Sequence, residues 1–113
     1  MSKLFEILIA HRRIAKSLTE RDDFYPLLAQ TINYSLPSAD VYLFGSAFAG
    51  TARPDSDIDI LIASPELPNI QQRSLVVAGV RERFPHVNIE LHFAGPDELA
   101  WYRQFIMNQW RKL

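Results

Sequence analysis

One spacing restricts this chain more than any other. The apolar run Val41-Tyr42-Leu43-Phe44 ends in a Gly45-Ser46 turn, and after ten further residues Asp57-Ile58-Asp59 opens into Ile60-Leu61-Ile62. Short apolar runs bounded by turn residues read as buried strands, so two strands are expected here. A short helix over residues 46–52 and a loop, Arg53-Pro54-Asp55-Ser56, would join them. Side chains alternate along a strand, which puts Asp57 and Asp59 on one face about 7 Å apart, with Ile58, Ile60 and Ile62 on the other. Two unpaired carboxylates at that distance repel, and a divalent cation is the usual remedy. A small-residue turn beside them lets backbone N–H groups approach phosphate. Together the two elements describe a place for a metal-bound nucleoside triphosphate.

The bulk properties narrow the alternatives. A chain of 113 residues holds one core, so residues 1–113 are expected to form one domain. Twelve Lys and Arg against thirteen Asp and Glu leave a formal charge of −1, without the basic footprint of a nucleic-acid binder. The chain has no cysteine, which excludes disulfides and thiolate metal sites and suits a reducing cytoplasm. The opening Met1 to Ala10 is apolar, but Glu6 and then His11-Arg12-Arg13 interrupt it too early for a membrane span, and no signal peptide is visible.

Helical spacing of Leu4, Ile7, Leu8, Ile14 and Leu18 predicts a first amphipathic helix, with Arg12, Arg13 and Lys16 toward solvent. Asp22 or Asp23 is placed to cap a second helix running to about Tyr34. Asn69 to Phe84 reads as a third long helix, with Ile70, Leu75, Val76, Val80 and Phe84 inward, and Val87 to Phe93 as a third strand. Gly95-Pro96-Asp97-Glu98 marks the start of a last helix, expected to run through Tyr102, Phe105, Ile106 and Trp110 to the basic Arg111 and Lys112. The expected class is α+β, a small mixed sheet packed on helices in the order α-α-β-α-β-α-β-α.

Two acids seldom complete a metal site, so a third is expected on a neighbouring strand. Glu90 sits in the apolar alternation Val87-Asn88-Ile89-Glu90-Leu91-His92-Phe93, sharing a face with Asn88 and His92. It is placed to hold a second Mg2+ or to take the proton of an attacking hydroxyl. His92 is expected beside the site or at the surface, not as a ligand. Gly45 permits close backbone approach, and Ser46 offers a hydroxyl and an N–H near a helix start. Arg53 is a candidate to neutralise triphosphate charge. Asp55 is read as a turn acid, and Gly50 as a residue for close helix–strand packing.

Gly45-Ser46, ten intervening residues and Asp57-Ile58-Asp59 resemble the signature of the DNA polymerase β-like nucleotidyltransferase superfamily. The short length resembles its minimal nucleotidyltransferase branch. Where many relatives carry an aspartate in the third acidic strand, this chain has Ile89-Glu90-Leu91-His92. The resemblance implies Mg2+-dependent transfer of a nucleoside monophosphate, AMP from ATP, with pyrophosphate leaving. In that scheme Asp57, Asp59 and Glu90 hold two Mg2+ ions, and Gly45 and Ser46 grip the triphosphate. Members of that branch are commonly paired with a HEPN-type ribonuclease toxin and act as its antitoxin, some by adenylylating it.

Trp101, Tyr102, Phe105, Ile106 and Trp110 are too widely spread for one helix face. One side is expected to meet the sheet and another a partner protein or a second copy of the chain. Two function classes follow. One is a nucleotidyltransferase that modifies a partner, the other a non-catalytic antitoxin that neutralises by binding. A third, transfer to a small molecule, lacks an evident acceptor-binding domain.

Overall fold

In the computed structural model, which describes residues 2–53 and 56–113, four strands form one sheet in the order β3-β2-β1-β4. The strands are β1 (Asp40–Phe44), β2 (Ile58–Ala63), β3 (Ile89–Ala94) and β4 (Trp110–Lys112). The helices are α1 (Lys3–Thr19), α2 (Phe24–Ser35), α3 (Gly45–Ala49), α4 (Ile70–Arg83) and α5 (Pro96–Ile106). The mixed α+β class holds, with one strand more than expected at the C-terminal end. Pro54 and Asp55, the latter read above as a turn acid, lie outside the described residues.

β1 pairs antiparallel with both β2 and β4, while β2 and β3 run parallel. A parallel pair needs a crossover, and α4 supplies it. Alternation splits the sheet into two apolar faces. Val41, Leu43, Ile58, Ile60 and Ile62 meet α2 and α4, whose Phe24, Leu28, Ile32, Val76, Val80 and Phe84 complete the main core. Phe24 and Phe84 lie edge to face at 5.3 Å, within the range such aromatic pairs prefer. On the other face Leu61, Ala94 and Ile106 are buried beneath α5, with Tyr42, Phe44, Tyr102 and Trp110 packed around them.

The helix ends follow capping chemistry. In α4 the Asn69 side chain accepts from Gln72 N–H while Gln72 accepts from Asn69 N–H. α5 begins with Pro96, and Glu98 accepts from Gly95 N–H at 3.1 Å. Asp23 occupies the N-cap position of α2 but makes no cap bond, because Arg21 donates to it twice, at 3.0 and 2.9 Å. That guanidinium also holds the exposed Asp23 carboxyl below its usual pKa.

Three expectations are corrected. α1 forms, but Leu4, Ile7, Leu8 and Ile14 are exposed and no residue of it is buried, so its apolar stripe is not covered by the rest of the chain. In α4, Ile70 and Leu75 are exposed. At about 100° per residue they fall well off the Val76–Val80–Phe84 stripe that meets α2. The last helix stops at Ile106, where Met107 takes a positive φ of 57°, and Trp110 enters the sheet opposite Phe44 instead of continuing the helix.

Candidate functional site

The parallel pairing of β2 and β3 sets Asp59 opposite Glu90 and Leu61 opposite His92. Asp59 faces the α5 side of the sheet, two residues before the buried Leu61, with Phe44 opposite it on β1. His92, two residues past Glu90, shares that face. Its Nε2 lies 3.3 Å from Asp59 Oδ1 and 3.7 Å from Glu90 Oε1. The other ring nitrogen, Nδ1, is 3.4 Å from the Tyr102 hydroxyl of α5. Phe44 packs edge to face on the imidazole with centroids 5.1 Å apart. The His92 and Asp59 side chains are 23% and 25% exposed and Glu90 is 54% exposed, so the cluster opens to solvent on its β3 side. One donor atom from each of the three lies within 4.8 Å of the others.

Behind the cluster stands Gly45, at φ +74°, a conformation that favours glycine. A Cβ built there collides with Asp59 Oδ2 and lies 3.2 Å from Asp59 Cγ. The glycine of the Gly-Ser turn is therefore what makes room for the second aspartate. Gly50 has another role than the close packing expected: at φ +75° it ends α3, and an added Cβ would meet nothing within 4 Å. Ser46 is the second residue of a five-residue helix, and its carbonyl accepts from the N–H groups of Gly50 and Thr51. So short a helix has little dipole, which leaves local N–H groups and the Ser46 hydroxyl as the anion-facing parts.

Asp57 lies one residue before β2, exposed and outside the Asp59–Glu90–His92 group. With Asn88, Glu90 and, from the C-terminal end of α4, Val80, Arg81 and Phe84, it lines a notch of about 310 Å³ at the start of β2 and β3. Arg53 is not gathered with the acids. It lines a separate cavity of about 570 Å³ with Arg12, Arg13 and Lys16 of α1, and Asn88 borders both spaces.

Sequence reasoning set His92 aside as a ligand, yet the structure brings its ring between the two carboxylates. The signal was its parity with Glu90. Two carboxylates and an imidazole this close are a donor set that suits a divalent cation.

The profile of a family described as nucleotidyltransferase domain matches residues 28–108, from α2 past the end of α5. The chain belongs to the nucleotidyltransferase domain family. Such domains work with divalent metals, and the Asp59–Glu90–His92 group supplies residues to hold one. A solved structure of a provisionally assigned nucleotidyltransferase is similar with a TM-score of 0.64 and 22% identity, covering 80% of this chain and 98% of that chain. Another, from Sulfolobus solfataricus, gives a TM-score of 0.50 and 22% identity, covering 99% and 86%. These two likenesses are of fold. The domain is also 36% identical over 72 residues to the phenylalanine–tRNA ligase beta subunits of Xanthomonas oryzae pv. oryzae and Xanthomonas euvesicatoria pv. vesicatoria. The match covers 57% of this chain and only 9% of those subunits. Among the described residues, no helix is long and apolar enough to cross a membrane.

Proposed function

We propose that this nucleotidyltransferase domain transfers AMP from ATP to a partner protein, with Mg2+, and serves as the antitoxin of a HEPN-type toxin in the cytoplasm. The observation that carries the transfer is the pairing of Asp59 with Glu90 across parallel strands, with Gly45 backed against Asp59. The partner rests on the resemblance of Gly45-Ser46 and Asp57-Ile58-Asp59 to minimal nucleotidyltransferases.

In this reading Asp57, Asp59 and Glu90 hold the Mg2+ ions, while Gly45 and Ser46 receive the triphosphate with their N–H groups and hydroxyl. Arg53 balances charge from the α1 side. When bound, the cations neutralise triphosphate charge and align the α-phosphate for in-line displacement. An acceptor oxygen forms a bond to the α-phosphorus, the α–β bridge breaks, pyrophosphate leaves, and the acceptor proton passes to a carboxylate of the cluster. This chemistry chiefly needs positioning and charge stabilisation.

A second reading, neutralisation by binding alone, has its own support. Trp101 and Phe105 stack in parallel on the outer face of α5 with centroids 5.8 Å apart, and they are 59% and 74% exposed. Exposed paired aromatics suit a protein interface. Asp57→Asn and Asp59→Asn separate the readings. Mixed with the partner, Mg2+ and α-labelled ATP, each variant should lose label transfer by about 100-fold or more. Undiminished transfer refutes the catalytic assignment, and neutralisation that survives without transfer favours the binding reading.

A further inference from the structure

The cluster's third corner is a ring nitrogen, and that changes which ion it takes. We propose that His92 Nε2 is a metal ligand, forming with Asp59 and Glu90 an inner position that favours a divalent transition cation over Mg2+. The inference rests on the metal-dependent reading of the site and revises it at one position, where a transition cation takes the place given above to Mg2+.

Donor spacing is the first support. Metal–donor bonds of about 2.1 Å at right angles place neighbouring donors about 3 Å apart. Nε2 already stands 3.3 Å from Asp59 Oδ1 and 3.7 Å from Glu90 Oε1, and all three donor atoms lie within 4.8 Å of one another, so side-chain rotations bring them onto one ion.

The far side of the ring is the second. A liganding histidine usually has its other nitrogen held by an outer partner that fixes tautomer and orientation. Here the Tyr102 hydroxyl is 3.4 Å from Nδ1: without an ion Nε2–H donates to Asp59 and the hydroxyl donates to Nδ1, and when an ion takes the Nε2 lone pair the proton sits on Nδ1 and the hydroxyl accepts. Phe44 and Tyr102 flank the ring edge to face, with centroids 5.1 and 6.0 Å from it, which restricts rotation.

Selectivity follows from the donors. Mg2+ demands oxygen ligands in near-ideal octahedral geometry and sheds water reluctantly, whereas imidazole suits iron, nickel, zinc and cobalt. One nitrogen among three protein donors tilts the inner position toward the latter group. Asp57, exposed and outside the group, remains for a Mg2+ arriving with the triphosphate. The two ion positions are then chemically unlike.

The test uses nucleotide-free protein and metals alone. Mn2+ bound at the inner position should show the 14N coupling of a directly attached imidazole in pulsed EPR, lost in His92→Ala and retained in Asp57→Asn. Bound Mn2+ without 14N coupling in the unsubstituted protein overturns the proposal and needs no variant to fold. In competition titrations Co2+ should displace Mg2+, and His92→Asp, an all-oxygen set, should lower the Co2+/Mg2+ affinity ratio about 10-fold or more. An unchanged ratio in a His92→Asp protein that melts normally also overturns it. AMP transfer is measured separately. Nitrogen coupling without transfer upholds His92 ligation and removes the transferase reading, and transfer without coupling does the reverse.

Discussion

Replacing Gly45 with alanine sets the backbone and the site against each other. At φ +74° an L-residue costs about 1–2 kcal/mol. The new Cβ also collides with Asp59 Oδ2 and stands 3.2 Å from Cγ and 3.3 Å from Cβ, so the carboxylate must turn away. Doing so breaks its 3.3 Å contact with His92, a loss of about 1 kcal/mol for a partly exposed hydrogen bond. The sum is about 2–3 kcal/mol, and at about 4 °C per kcal/mol for a chain of this size the melting temperature should fall by about 8–12 °C. Urea denaturation of Gly45→Ala, Asp59→Ala and the double variant isolates the collision. With the carboxylate gone, Gly45→Ala should cost only its backbone share of about 1–2 kcal/mol, a coupling of about 1 kcal/mol. Transfer activity in Gly45→Ala should drop about 100-fold, since displacing a positioned group by an ångström has that effect. The reasoning fails if Gly45→Ala melts like the parent, or if the two substitutions add within about 0.5 kcal/mol.

Other expectations test the fold and the surface. Trp110→Ala, which removes a ring stacked on Tyr42 at 4.3 Å, should lower urea stability by about 2–3 kcal/mol, whereas cutting the exposed Lys112–Asp40 pair with Lys112→Ala should cost under about 1 kcal/mol. Burial raises the Tyr25 phenol above its usual pKa of 10.0, against the opposing pull of Arg111, whose guanidinium sits 5.5 Å from the ring centroid. The folded protein thus binds that proton more tightly than the unfolded chain. The resulting stability is present below about pH 10 and is lost as pH rises through the folded pKa, so Tyr25→Phe should flatten this alkaline decline in urea midpoints. Trp101→Ser with Phe105→Ser should change stability by under about 1 kcal/mol, because both rings are exposed, yet weaken partner binding about 10-fold or more in a titration.

What was legible in the chain was mostly what is local. The Gly-Ser turn, the short helix and the Asp-x-Asp strand are contiguous, and the boundaries of β1 and β2 were placed to within a residue. The core face of α4 was legible where one stripe carried it, through Val76, Val80 and Phe84. The C-terminal end was not. Tyr102, Ile106 and Trp110 recur every four residues and imitate one helix face, but all three pack on the second core from two different elements. A three-residue strand is too short to show alternation, and β4 exists because Phe44 and Tyr42 offer it partners. Likewise, periodicity marks α1 as amphipathic without saying what its apolar face meets.

The site depends on the same divide between local pattern and register. Alternation alone puts Asn88, Glu90 and His92 on one face of β3, and Asp59 on one face of β2. It does not say which of the three lies beside Asp59, and a slip of two residues would keep every side chain on its face. The observed register pairs Asp59 with Glu90 and places His92 one pleat further on, opposite the buried Leu61. From there only a long, planar side chain reaches back, and the imidazole does so because Phe44 and Tyr102 hold it against the sheet. Tyr102 comes from α5, whose position is set by Ile106 packing on Leu61 and Ala94. The second core therefore orients the histidine as well as burying apolar area. By that logic Ile106→Ala, which removes no donor atom, should weaken metal binding along with stability, whereas Val76→Ala in the main core should lower stability alone. Metal affinities of the two variants, compared at equal loss of urea stability, decide whether α5 has this role.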